Sequence, residues 1–238
     1  MIGKIMLGIL ILAMVLFLAW MLTSLILKNT AKNRRDKPVW FLLNMIPRKV
    51  EVPCMEGSQY YDRFPKKIIP DVYSYATTLD DASIRELANI LERKIGKRSD
   101  SFKARYILAF VQMAIMYQSD SKTYGSDERY AFPCCTMKMR VGDCEDMALL
   151  GATLSKMLGL DAIIIHMTGH LAYAVNVNGF GKKIEFDGKK YLWAEATGFF
   201  PLGFVVNDKE IDGCYYPRTP PTDYIATQTY PDTFEKYL

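Results

Sequence analysis

RVGDCEDMALLGATLSKMLG, residues 140–159, sets a cysteine among acidic residues at the point where an apolar helical pattern begins. Met147, Leu150, Leu154 and Met157 or Leu158 recur at helical spacing, and Gly159 stands where a C′ glycine ends a helix. The helix therefore starts at or near Cys144. A thiol attacks as its thiolate, and the unpaired N–H groups and dipole of a helix N-terminus favour that anion. With a basic partner, a thiol pKa of about 8.5 falls to roughly 3.5–7.5. The same N–H groups can hold an oxyanion. Asp143, Glu145 and Asp146 oppose a further negative charge, so a cationic partner has to stand close.

Upstream, TLDDASIRELANILERKIG (78–96) opens on a Thr78-x-x-Asp81 capping pattern, carries Ile84, Leu87, Leu91 and Ile95 on one face and stops at Gly96. DSFKARYILAFVQMAIMYQSD (100–120) is apolar on more of its circumference and predicts a more buried helix from about Ser101 to Tyr117. After Gly159 the period changes. DAIIIHMT, LAYAVNV, KKIEF and KYLWAEA are short β-branched and aromatic runs, punctuated by Gly169, Asn178-Gly179, Gly181 and Asp187-Gly188. Helices followed by an antiparallel sheet define an α+β class.

The chain has two histidines. His166 ends the run AIIIH and reads as a packed strand residue, whereas His170 follows Gly169 and starts HLAYAV at a strand edge, which makes it the candidate base. A base needs an orienting acceptor. Glu195 closes an apolar strand, where a carboxylate is costly unless paired. Asp187 competes for this role, but Asp187-Gly188 is a hairpin turn in its own right. If His170 and Glu195 stand directly opposite on antiparallel neighbours, Val177 faces Gly188 and residues 178–187 leave the sheet as an excursion.

GDCEDMALLGATLSKMLGL, GHLAYAV and WAEATG together resemble the core of the transglutaminase-like superfamily, over roughly Tyr106 to Gly203. FVQMAIMY and the proline of FPCCTM are similar to its prokaryotic members. The resemblance implies a papain-like α+β fold with helices packed on an antiparallel sheet. It also implies Cys144 as nucleophile, His170 as base and Glu195 as acid. The acid is most often Asp in that superfamily, and Glu is one methylene longer. Gln112, from its place in FVQ, either approaches the oxyanion or, as an interior helix glutamine, bonds a carbonyl.

No charge occurs from Ile5 to Leu27, and 23 residues at about 1.5 Å each cross a hydrocarbon core of roughly 30 Å. Residues 1–28 thus read as an N-terminal transmembrane helix, with a basic linker over 29–70 and the transglutaminase-like domain over 71–238, its core at about 100–205. Between residues 28 and 49 there are seven Lys or Arg and one Asp, which places the domain in the cytoplasm under the positive-inside bias. KPVWFLLNMIP (37–47) suits either the membrane interface or a plain linker. Residues 1–49 sum to +7 and residues 50–238 to −3, so the basic balance belongs to the collar and lipid is its partner. Nucleic acid is excluded as a partner on the same ground.

Five cysteines (54, 134, 135, 144, 214) follow no disulfide framework spacing. Adjacent Cys134 and Cys135 chelate one ion poorly and no C-x-x-C occurs, so no metal or cofactor is expected. The vicinal pair reads as small buried residues or as a redox-sensitive neighbour of the nucleophile. The expected function is thiol acyl chemistry on a peptide or protein amide, hydrolysis before cross-linking. The alternative is a tethered interaction module that keeps the fold without turnover.

Overall fold

The switch of period after Gly159 marks the seam of the fold, with the long helices before it and the main sheet after it. The computed structural model describes residue 14 and residues 38–61, 63–65, 72–123, 130–206, 209–221 and 225–229. Apart from residue 14, the expected anchor over 1–28 lies outside the described residues, as does the collar up to residue 37. No helix among the described residues is long and apolar enough to cross a membrane.

The chain opens with β1 (Val39–Leu43), β2 (Ile46–Val50) and β3 (Arg63–Pro65), then α1 (Val72–Ala76), α2 (Ala82–Ile95) and α3 (Asp100–Ala114). Next come β4 (Met116–Tyr117), α4 (Asp120–Thr123), α5 (Pro133–Met139), β5 (Val141–Gly142) and α6 (Cys144–Met157). The sheet strands follow: β6 (Ala162–Met167), β7 (His170–Val175), β8 (Lys183–Phe186), β9 (Lys189–Ala194) and β10 (Ile211–Tyr215), with β11 (Ile225–Thr229) pairing β3.

The helices form where their patterns place them. Ile84, Leu87, Leu91 and Ile95 are all buried along α2, and Gly96 ends it at φ 65°. Its cap is Asp81, whose carboxylate accepts from the Ser83 and Ile84 amides at 2.9 and 3.2 Å. Thr78 instead turns the chain at φ 46°, one turn before the helix. Helix α3 stops at Ala114, short of the expected Tyr117, because residues 116–117 leave it to run parallel to residues 141–142.

Within the expected linker over 29–70, residues 39–60 are corrected to folded structure. Residues 39–50 form an antiparallel hairpin in which Val39, Phe41, Leu43 and Val50 join the main core. Their period-two alternation buries one face, and Phe41 meets the Tyr106 and Phe110 rings edge-on at 4.9 and 6.2 Å. Met55 and Tyr60 are buried behind them.

The main sheet has the order β10-β6-β7-β9-β8 and every pairing is antiparallel. Ile164, Leu171, Tyr173 and Val175 face the helices, while Ile163, Ile165, Ala172, Ala174 and Trp193 fill a second core on the other side. Helix α6 lies on this sheet so closely that a Cβ on Gly151 would sit 2.4 Å from the Tyr173 ring. Glycine at 151 is therefore what lets the Cys144 helix seat against the His170 strand.

Strands β7 and β9 are antiparallel neighbours, but two residues out from the expected register. Tyr173 pairs Ala194, so continuing the ladder brings Ala172, and not His170, beside Glu195. A shift of two leaves every side chain on its own face, and the diagonal stays within reach of long side chains. Residues 176–182 carry the chain past β9, and β8 then pairs the outer edge of β9 through a tight turn. That turn is Asp187-Gly188, with φ 50° and 71°. Asn178-Gly179 makes no such turn, neither residue having positive φ.

If the hairpin is part of the core, Phe41→Ala should cost about 3–5 kcal/mol in a denaturant titration, as for a buried ring. The outward-facing Trp40→Ser should change stability by less than about 0.5 kcal/mol. A linker would leave both variants unchanged.

Candidate active site

Helix α6 begins at Cys144 with Asp143 as its N-cap residue, and Asp143 makes no side-chain capping bond. The first intrahelical bond runs from Met147 N to Asp143 O at 3.1 Å. The amides of Cys144, Glu145 and Asp146 therefore have no intrahelical acceptor, and they form the positive end of the helix. Asp146 fixes this end from within. One of its oxygens accepts the Ala131 amide at 2.8 Å, and the Asp143 amide also bonds its carboxylate. A Cβ on Gly142 would sit 2.8 Å from the other Asp146 oxygen, which accounts for glycine there.

His170 and Glu195 are brought together. Nε2 of His170 lies 3.0 Å from Oε2 of Glu195, and the carboxylate, only 2% exposed, also accepts the Thr197 hydroxyl at 2.7 Å and the Thr197 amide at 3.3 Å. Burial pushes the Glu195 pKa up, but the His170 and Thr197 hydrogen bonds outweigh it and hold the carboxyl below its ordinary range. It stays ionised as the imidazole's acceptor. Asp187 is taken up by its turn and by a 3.2 Å bond from the Tyr216 hydroxyl. His166 stacks on the Tyr73 ring at 5.0 Å and has Asp212 3.8 Å from Nδ1.

The thiol behaves otherwise than the helix start alone suggests. Sγ of Cys144 donates to Oε2 of Glu145 at 2.8 Å and does not bond the His170 ring. Burial first, then the Glu145 charge, push the thiol pKa well up, and the Leu171 amide, which favours the anion, only partly offsets them. Leu171 directly follows His170, so this amide marks how near α6 comes to the head of β7. In this arrangement Cys144 is a protonated thiol, and the lowered pKa expected from the helix dipole is corrected.

Gln112 is not beside the thiol. Its Nε2 donates to the carbonyls of Glu195 and Phe200 at 2.9 and 2.8 Å, which uses both amide hydrogens. Of its two sequence-level roles it takes the carbonyl-bonding one, and it pins the end of the acid strand to α3.

Sequence reasoning counted Glu145 as an opposing charge but not as the thiol's hydrogen-bond acceptor, and it missed Thr197 and Tyr117. Pairing of β4 with β5 sets the half-exposed Tyr117 across from Gly142, where partial burial, then the thiol and neighbouring acids, push its phenol pKa up. Thr197 was legible in EATG as a hydroxyl two residues after the acid; Tyr117 had no signal before the β4–β5 pairing was known. Buried Cys134 and Cys135 have sulfurs 3.8 Å apart, and Cys135 donates to the Tyr60 carbonyl.

Among the described residues, two groups of side chains have ligand atoms within 4.8 Å of one another: Asp120, Asp143 and Asp146, and Asp143, Cys144 and Glu145. The three aspartates are oxygen donors of the kind a hard divalent cation takes. Burial, then Asp146 and the other acids, push Asp143 up to about 10.

No protein-family model matches the chain, and no curated protein matches it. Among solved structures it is similar to a provisionally assigned cysteine protease from Cytophaga hutchinsonii, 16% identical over 63% of this chain and 50% of that one, with a TM-score of 0.35. It is also similar to a provisionally assigned protease from Parabacteroides distasonis, 14% identical over 68% of this chain and 36% of that one, again at 0.35. The chain thus aligns with half or less of those proteins. Overlap this slight carries no argument, and the function has to be argued from the site.

Asp143 gives the site a pH signature. Its folded pKa lies above the ordinary 3.8, so its contribution to stability is full below about pH 4 and is lost as pH rises toward about 10. In metal-free buffer the melting temperature should fall from pH 5.5 to 8.5, and Asp143→Asn should flatten that fall by at least about 3 °C. An identical slope in both proteins would contradict the assignment.

Proposed function

We propose that this chain is a membrane-tethered cysteine enzyme of the transglutaminase-like kind, which cleaves an amide through a thioester on Cys144. The observation that carries the reading is the 3.0 Å bond between His170 Nε2 and a buried, ionised Glu195, at the head of the strand against which the Cys144 helix starts. A carboxylate held on Nε2 places the proton on that nitrogen and leaves the lone pair on Nδ1. Nδ1 is then the nitrogen available to the thiol.

The chemistry follows from these groups. The Cys144 S–H turns from Glu145 towards His170, Nδ1 takes its proton, and sulfur bonds to the amide carbon. The helix-start amides of Cys144, Glu145 and Asp146 are the donors nearest to where the carbonyl oxygen gains charge. Collapse breaks the C–N bond, and the imidazolium returns its proton to the leaving nitrogen. Water, deprotonated at Nδ1, then attacks the thioester, releasing the carboxylic acid and restoring the thiol. Glu195 holds the ring through both halves.

Hydrolysis is preferred to cross-linking because no second-amine site is legible. Residues 1–28 are read as the anchor and 29–38 as the basic collar, with the domain from residue 39 on the cytoplasmic side. One observation favours the rival reading of a tethered module without turnover: the thiol donates to Glu145, not to the base.

The test offers the full chain a proteome-derived peptide library together with a primary-amine trap, read by mass spectrometry. New peptide termini or deamidated side chains should appear without amine incorporation, and Cys144→Ala should abolish them. His170→Ala and Glu195→Gln should each lower the rate, the former by about 10²–10⁴-fold. Amine adducts would make the chain a cross-linking enzyme. No product from folded protein would favour the module.

A further inference from the structure

Beside the site lies an apolar surface that the chemistry does not use. On β1, Trp40 is 55% exposed, and its cross-strand partner Lys49 sets its ammonium 5.8 Å from the ring centroid. Leu42, two residues on and so on the same face, lines an apolar recess of about 340 Å³ together with Met45, Phe199 and Phe200. Met45, at the hairpin tip, is 64% exposed. Phe204 stacks on Phe200 at 5.0 Å. Phe180 is 98% exposed, and its carbonyl packs so tightly on Gly203 that a Cβ there would lie 2.2 Å away. The Phe180 and Phe204 side chains are thus carried on touching backbone segments beside the recess.

We propose that this surface, the outer face and tip of β1–β2 with Phe180 and Phe204, rests on the anionic bilayer to which the chain is tethered. The inference depends on the anchor read from residues 1–28. Eleven residues lie between Leu27, the last of the uncharged stretch, and Val39, and the twelve steps from one to the other span at most roughly 40 Å. Among the described elements the hairpin is therefore the first after the anchor and the one held nearest the headgroups. Those eleven residues include five Lys or Arg, and Lys49 adds another at the edge of the patch. An aromatic ring with a lysine reaching over it suits a headgroup boundary, where the ring sits in the apolar zone and the ammonium among phosphates. Exposed aromatic and methionine side chains gathered round an apolar recess suit an interaction surface. A second copy would bring the same basic collar against itself, whereas anionic lipid complements it. Docked this way, the domain would meet substrates at the membrane surface instead of sweeping through the space around its tether.

Photo-crosslinking of the full chain tests this. Benzoylphenylalanine replaces Met45, Phe180 or Phe204 in turn, and Asn89, on the outer face of α2, as control. Each protein is reconstituted into vesicles of phosphatidylcholine with about one-third phosphatidylglycerol. Lipid adducts should form at 45, 180 and 204 and be at least several-fold weaker at 89. Phe180→Glu, which alters only an exposed side chain, should cut the adduct at 45 several-fold without changing the melting temperature. Extraction with alkaline carbonate separates the two readings. Release of the chain would overturn the anchor. Retention with no lipid adduct, or with adducts only to a second copy, would overturn the docking face and leave the anchor standing.

Discussion

The contact of α6 with β7 is the constraint on which the rest of the site depends. Tyr173 occupies the space a side chain at 151 would need, so the helix sits flush on the strand and its first residue arrives beside the Leu171 amide. Everything chemical follows from that seating. The thiol meets the head of β7, where His170 begins the strand, and β9 brings Glu195 to the same face. A bulkier residue at 151 would lift the helix and separate Cys144 from His170 without touching either.

The electrostatics of the helix start run against the simple account of a low-pKa thiol. A helix N-terminus favours an anion by a modest amount, but burial and the adjacent Glu145 outweigh it, and the thiol remains protonated as a donor to that carboxylate. In the proposed reaction, proton transfer would therefore accompany attack, as in hydroxyl nucleophiles, instead of starting from a preformed ion pair. Asp146 contributes to order more than to charge, because its carboxylate ties residue 131 and the Asp143 amide to the first turn.

Much of this was legible in the chain. The start of α6 at Cys144, the four buried positions of α2, the helices-then-sheet order and the choice of His170 and Glu195 as neighbours all came from periodicity, turn residues and the cost of a lone buried carboxylate. The register of β7 on β9 was not legible, since a shift of two keeps every residue on its face and burial patterns cannot detect it. The hairpin at 39–50 was missed because a basic collar and two prolines masked the alternation of Val39, Phe41 and Leu43. Gln112 and Glu145 were settled only by tertiary placement, one against two carbonyls and the other against the thiol.

The central claim is that Cys144, His170 and Glu195 act as one unit that Glu145 holds at rest. It is tested most directly by the pH dependence of Cys144 alkylation with iodoacetamide, read peptide by peptide in the wild type, Glu145→Gln, His170→Ala and the double variant. Removing the Glu145 charge should lower the thiol's pKa, and each unit of that fall is worth about tenfold in thiolate below the midpoint. The account predicts a faster Cys144 in Glu145→Gln, and loss of most of that gain when His170 is also removed. Equal rates in all four proteins, or a gain indifferent to His170, would contradict it.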